Sequence, residues 1–223
     1  MKKLLIALGL SLGSISAAHA MDIAAGVDAG TTGVGAHLSI PVAQNFNARF
    51  GFGILNYSFN ENTDNVAYDL KLKLKTVDAL IDWHPMGSGF RVTGGLAYNG
   101  NKIEGTGRPA VGGSYNFNGN SFPASTAGQV DANIDFRKVA PYIGIGWGNA
   151  LARQSGGWSF QADLGVLFQG SARTSLVNTN CTAGAAVCNQ IATELAAESA
   201  ALTEDIRQLR HYPVVRIGVA YKF

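Results

Sequence analysis

The chain has 223 residues with 17 basic and 15 acidic side chains, 28 glycines, four histidines and two cysteines. Lys2 and Lys3 account for the whole formal excess of +2, so the remainder is neutral and gives no ground for a nucleic-acid partner. Past residue 20 no run of about 20 apolar residues occurs, which excludes helical membrane spans, and the histidines lack any metal-ligand spacing.

Residues 1–20 carry a charged start, an apolar run over 4–12 and the small residues of Ala18-His19-Ala20. That order is the order of a secretory signal peptide, expected to be cleaved after Ala20 and to leave one domain over 21–223. Eight segments of period two follow, and strand side chains alternate between faces with that period. In 22–30, Ile23, Ala25, Val27 and Ala29 share a face opposite Asp28. In 34–41, Val34, Ala36, Leu38 and Ile40 oppose His37 and Ser39. In 46–54, Phe46, Phe50, Phe52 and Ile54 oppose Asn47 and Arg49. Residues 68–83 set Val77, Ala79, Ile81 and Trp83 against Asp78 and Asp82, and 90–98 set Phe90, Val92, Leu96 and Tyr98 against Arg91 and Thr93. In 139–147 the apolar face is Val139, Ile143, Ile145 and Trp147. In 158–168 it is Trp158, Phe160, Leu164, Val166 and Phe168, against Gln161 and Asp163. The last segment, 214–223, carries Val215, Ile217, Val219, Tyr221 and Phe223 opposite Arg216 and Lys222.

The links over 41–45, 85–89 and 149–157 are short and 30–33 is tight, whereas 60–67, 103–137 and 173–212 are long. Short turns on one rim and long loops on the other predict an all-β, eight-stranded antiparallel transmembrane β-barrel of the outer membrane. Trp83, Trp147, Trp158 and Phe90 flank the short turns, where interfacial aromatics belong. The glycines at 51–53, 94–95 and 144–148 alternate with apolar residues in strand register. They lack the strand, turn and helix order of a nucleotide-binding loop, so no cofactor is expected.

If the apolar faces meet lipid, Asp28, Arg49, Asp78, Asp82, Arg91, Asp163, Arg216 and Lys222 meet in the lumen. An eight-stranded barrel has room for little beyond its own side chains. These charges are therefore expected to pair and close it, with a narrow ion path as the alternative. His37 and Ser39, two apart on one face, suggest the base and nucleophile of a lipid hydrolase. No Gly-x-Ser-x-Gly elbow accompanies them and they face the lumen, so no catalytic residue and no enzymatic activity are expected. Lys71, Lys73 and Lys75 face outward above the bilayer midplane if the alternation runs unbroken to Trp83, and there they could meet lipopolysaccharide phosphates. A bulge near Thr76 would turn them inward.

Cys181 and Cys188 are expected to form a local disulfide, worth about 2 to 3 kcal/mol by loop-closure entropy. Over 189–209 the period becomes helical, with Ile191, Leu195, Leu202, Ile206 and Leu209 in one stripe. Such a helix inside the 173–212 insertion is expected to cap the mouth, or else to dock a partner.

The segments FRVTGGLAYNGNKI (90–103), APYIGIGWGNA (140–150), GWSFQADLGVLFQGS (157–171) and YPVVRIGVAYKF (212–223) resemble small outer-membrane barrels of Gram-negative bacteria. These are grouped with opacity proteins and related surface antigens, barrels like that of outer membrane protein A. The resemblance implies architecture and outer-membrane location rather than activity; the role expected for the chain is structural or surface-antigen, in contact with outer-membrane lipids and lipopolysaccharide. The resemblance also implies that the barrel-assembly machinery reads the terminal pattern Val219, Tyr221 and Phe223.

Overall fold

The structure, a computed structural model, describes residues 22–62, 66–109, 113–117 and 119–223; the expected signal peptide over 1–20 lies outside them. The strands are β1 (Ala24–Gly30), β2 (Gly33–Ala43), β3 (Phe46–Asn62), β4 (Val66–Trp83), β5 (Phe90–Asn99), β6 (Lys102–Pro109), β7 (Ser114–Phe117), β8 (Asn120–Pro123), β9 (Gln129–Asp135), β10 (Val139–Trp147), β11 (Gly157–Phe168), β12 (Arg173–Thr179) and β13 (His211–Lys222). A short helix α1 (Ala124–Ala127), a long one, α2 (Ala185–Asp205), and two 3-10 turns, Ala150–Ala152 and Ile206–Arg210, complete the described elements.

Eight strands close a ring in the order β4, β3, β2, β1, β13, β11, β10, β5, and β5 pairs back onto β4. Every pairing is antiparallel, and closure leaves the ring without an edge. These are the eight segments that period-two alternation picks out. Ala24 lies opposite Lys222, so both ends of the described chain sit on the rim of short turns.

The three long links are different from expectation. The β3–β4 pairing continues through Asn60, Glu61 and Asn62 opposite Asp69, Tyr68 and Ala67, and 103–137 and 173–212 contribute β6, β9 and β12. β5 and β6 hold one register against β4, since Thr76 faces Asn99 and Lys73 faces Lys102; they are one long strand interrupted at 100–101. β9 and β10 likewise share one register against β6 and β5. β12 continues β11 with a one-residue shift, Tyr142 facing Leu167 and Asp135 facing Arg173. One side of the ring thus rises into a wall of β3, β4, β6, β9 and β12.

Polarity inverts along these strands without any break in alternation. In β4 the outer face runs from Trp83, Ile81, Ala79 and Val77 to Lys75, Lys73 and Lys71. The inner face runs from Asp82, Leu80, Asp78 and Thr76 to Leu74, Leu72 and Leu70, with Leu80 joining a buried cluster of Ala97, Ala140, Tyr142, Leu167 and Val214. The β3–β4 register is continuous from Phe46–Trp83 to Asn62–Ala67, so the bulge that would turn the lysines inward is absent. A strand that is apolar outside and polar inside over one half, and the reverse over the other, fits two solvents in succession.

The apolar inner face of the wall is covered over β9 and β12, whereas Leu55, Tyr57 and Phe59 of β3 stay exposed. Ile191 and Leu195 of α2 pack with Tyr115, Phe122, Ala127, Val130 and Leu176, and the Cys181–Cys188 disulfide flanks this cluster. Thr174 of β12 donates to the Ser199 carbonyl at 2.6 Å and the Ser199 hydroxyl donates back at 3.0 Å. α2 begins at Ala185, ahead of the apolar stripe, and a 3-10 turn, Ile206–Arg210, ends the helical segment. Leu202 and Ile206 are half-buried and Leu209 is exposed, so the stripe is shorter than expected. Leu195→Ala is expected to loosen helix docking by about 2 kcal/mol. Limited proteolysis within 189–209 should speed up several-fold while the ring itself stays resistant; unchanged cleavage would mean that the helix is held by other contacts.

Candidate functional site

The inward positions of β3, β4, β5 and β11 bring four charges together. Arg49 Nη1 lies 2.9 Å from Asp163, its Nε 3.0 Å from Asp82, and Arg91 Nη2 2.9 Å from Asp163. Arg91 Nε approaches Asp82 at 3.7 Å and Thr93 donates to Asp82 at 2.6 Å. Signs alternate and sum to zero, and no member is more than 7% exposed. Carboxylates out of water need this pairing, because isolated buried charges are prohibitive. Space comes from glycine: a Cβ at Gly146 would lie 2.9 Å from Arg91 Nε and 3.0 Å from Asp163.

The other expected lumen residues form separate pairs around this centre. Arg216 binds Asp78 at 3.0 Å and donates to Thr32 at 3.0 Å. Asp28 lies 3.0 Å from His37 Nδ1. Lys222 sits at the short-turn rim, 3.0 Å from Asp22 and within reach of the Leu151 carbonyl. Asp28 thus gives His37 the carboxylate partner that a catalytic base would need. Yet His37 Nε2 has no hydrogen-bond partner, so the base-to-nucleophile bond to Ser39 is not formed. The ring instead lies over Gly26, where a Cβ would stand 2.4 Å from Nε2.

On the outside, Val27, Leu164, Ile217 and their neighbours form a continuous exposed apolar band. Trp83, Trp147 and Trp158 are exposed at its short-turn margin, with Phe46 stacked on Trp83 at 6.3 Å and Trp158 edge-on to Tyr221 at 5.3 Å. Tyr221 in turn meets Phe223 at 5.2 Å, while Val219 lies outward one step up the strand and Phe90 is half-buried opposite Trp147.

The other margin is basic. Lys75, Lys73 and Lys71 of β4 are joined there by Lys102 of β6, Arg173 of β12 and Arg137 beside β10. Sequence reading could not assemble that set, because pairing of distant segments creates it. Glu104 lies between Lys73, at 2.6 Å, and Lys102. Its hydrogen bonds to Lys102 and then Lys73 pull its carboxyl down to about 2 from an ordinary 4.5, so it stays ionised at neutral pH.

No family model and no curated protein matches the sequence. Among solved structures the chain is similar to the crystal structures of Acinetobacter baumannii CarO2 and CarO, at 20% and 21% identity and a TM-score of 0.58 for each. The match covers 91% of this chain and 99% and 98% of those chains. At that identity the likeness carries the fold along essentially the whole ring and wall; it does not single out opacity-type antigens.

Proposed function

We propose that the chain is an integral β-barrel of the Gram-negative outer membrane, exported by a cleaved signal, with a closed lumen and a non-enzymatic structural or surface-antigen role. The observation that carries this is the polarity inversion: apolar outside and charged inside over the ring, polar outside and apolar inside over the wall. The wall, with α2 and the β7–β8 hairpin packed on its inner face, then stands outside the cell and presents the exposed surface. The assembly machinery would read Val219, Tyr221 and Phe223 on β13.

A pore is the competing reading, and the four-charge centre argues against it, since both arginines and both aspartates are spent on one another across the lumen. In planar bilayers the full chain is expected to give no sustained stepwise conductance. Reproducible channels of constant size from the wild-type chain would contradict the closed lumen. Purified outer membranes from Ser39→Ala and wild-type cells are expected to show the same lipid acylation; a difference would reinstate the hydrolase.

A further inference from the structure

The basic margin is organised in rows by the strand register. The last wholly apolar row on the outer face is Phe52, Val77, Tyr98 and Val139, directly opposite one another across β3, β4, β5 and β10 and each about half exposed. One step up β4 stands Lys75, level with the interruption at Gly100, whose N–H donates to the Lys75 carbonyl at 2.7 Å. The next row reads Asn56, Lys73, Lys102, Asp135 and Arg173. The row above it has Ser58, Lys71 and Glu104.

Glu104 neutralises part of Lys73 and Lys102. Lys71, Lys75, Arg137 and Arg173 are exposed or at the surface and have no ion pair among the described residues. The opposite margin of the band is built from tryptophan, tyrosine and phenylalanine. The two membrane faces are thus chemically different, one aromatic and one cationic.

We propose that this cationic margin binds a multiply phosphorylated lipid of the outer leaflet, of the lipopolysaccharide class. Phosphates would sit among Lys71, Lys75, Arg137 and Arg173, and acyl chains would lie on the Phe52, Val77, Tyr98 and Val139 row. An amphipathic ligand is favoured over a free anion because the cations adjoin an apolar row at one depth. The assignment rests on the barrel reading above, which places that row at the membrane boundary. Basic side chains beside an anionic membrane surface each favour binding by roughly fivefold at ordinary temperature.

The test uses the full folded chain in phosphatidylcholine nanodiscs containing a small fraction of bis-phosphorylated lipid A or its dephosphorylated form, with bound lipid counted by native mass spectrometry. Wild type is expected to enrich the phosphorylated form. The variant carrying Lys71→Gln, Lys75→Gln, Arg137→Gln and Arg173→Gln is expected to lose more than tenfold of that enrichment and to keep its thermal unfolding temperature in phosphatidylcholine alone. Lys71→Arg with Lys75→Arg should retain it. Equal enrichment by the glutamine variant, equal enrichment of the dephosphorylated lipid, or displacement by millimolar inorganic phosphate would each overturn the proposal. Failure of the chain to enter discs at all would sink the barrel reading, and the lipid assignment with it.

Discussion

Arg49→Ala is expected to destabilise the folded ring by about 3 to 5 kcal/mol, the cost of stranding buried carboxylates by removing one partner. Arg49 bridges Asp82 and Asp163, and without it only Arg91 remains to serve both. Arg91 already donates to the Gly148 carbonyl, so it cannot swing to replace the lost contacts without leaving that oxygen bare. Equilibrium unfolding in urea, followed by the loss of heat-resistant mobility on gels and by tryptophan emission, reads the change. Arg49→Met with Asp163→Leu removes one charge of each sign and should recover most of the loss, as replacing buried ion pairs by apolar groups commonly does. A cost for Arg49→Ala below about 1 kcal/mol would mean that Asp82 and Asp163 are hydrated and that the lumen is wet.

Ile217→Arg is the second large effect. Ile217 lies in mid-strand between Ala29 and Ala162 on the outer face of β13 and is 59% exposed. In water an arginine at so open a position would cost almost nothing. Facing lipid near the midplane it should cost roughly 2 to 4 kcal/mol. Ser58→Arg, on the same outer face of β3 but above the inversion level, is expected to change stability by no more than about 0.5 kcal/mol. Comparable effects at the two positions would remove the distinction between the band and the wall.

What the sequence shows of this fold depends on which stretches carry bulky apolar side chains on their outer face. In β13, β11 and the lower half of β3, bulky residues alternate with charged ones, and the period is legible without any tertiary knowledge. In β6 it is not, and in β9 it is short, with Val130, Ala132 and Ile134 inside against Gln129, Asp131, Asn133 and Asp135. Gly105, Gly107 and Ala132 stand on the inner face, where the Tyr115 hydroxyl donates to the Gly107 carbonyl at 2.9 Å and larger side chains would be obstructed. Their outer partners are polar because that face meets water. A strand with glycine inside and polar residues outside, as in β6, carries little hydrophobic signal, and the seven-residue alternation of β9 stands alone in a long polar stretch, so both read as parts of a loop. The lumen charges were legible as a set, since parity alone turns them inward, but their partition was not. Which arginine meets which aspartate depends on closing β4 against β5 and β11 against β10. The same holds for the cationic margin: Lys71, Lys73 and Lys75 announce themselves by alternation, whereas Arg137 and Arg173 join them only through pairing of segments far apart in the chain. The helix starts four residues before the 189–209 stretch in which its apolar stripe is legible, because its first turn, Ala185–Cys188, lies ahead of Ile191.

The most direct test of the account is an accessibility scan down the outer face of β4. The described chain has no free cysteine, Cys181 and Cys188 being joined, so single cysteines at Lys71, Lys73, Lys75, Val77, Ala79 and Ile81 can be labelled individually. With nitroxide labels on the chain reconstituted in vesicles, positions 77, 79 and 81 should be relaxed by oxygen, which concentrates in the lipid. Positions 71, 73 and 75 should be relaxed by a water-soluble nickel chelate, with the crossover between 75 and 77. Uniform access of the water-soluble reagent from 71 to 81 would contradict the membrane-spanning ring.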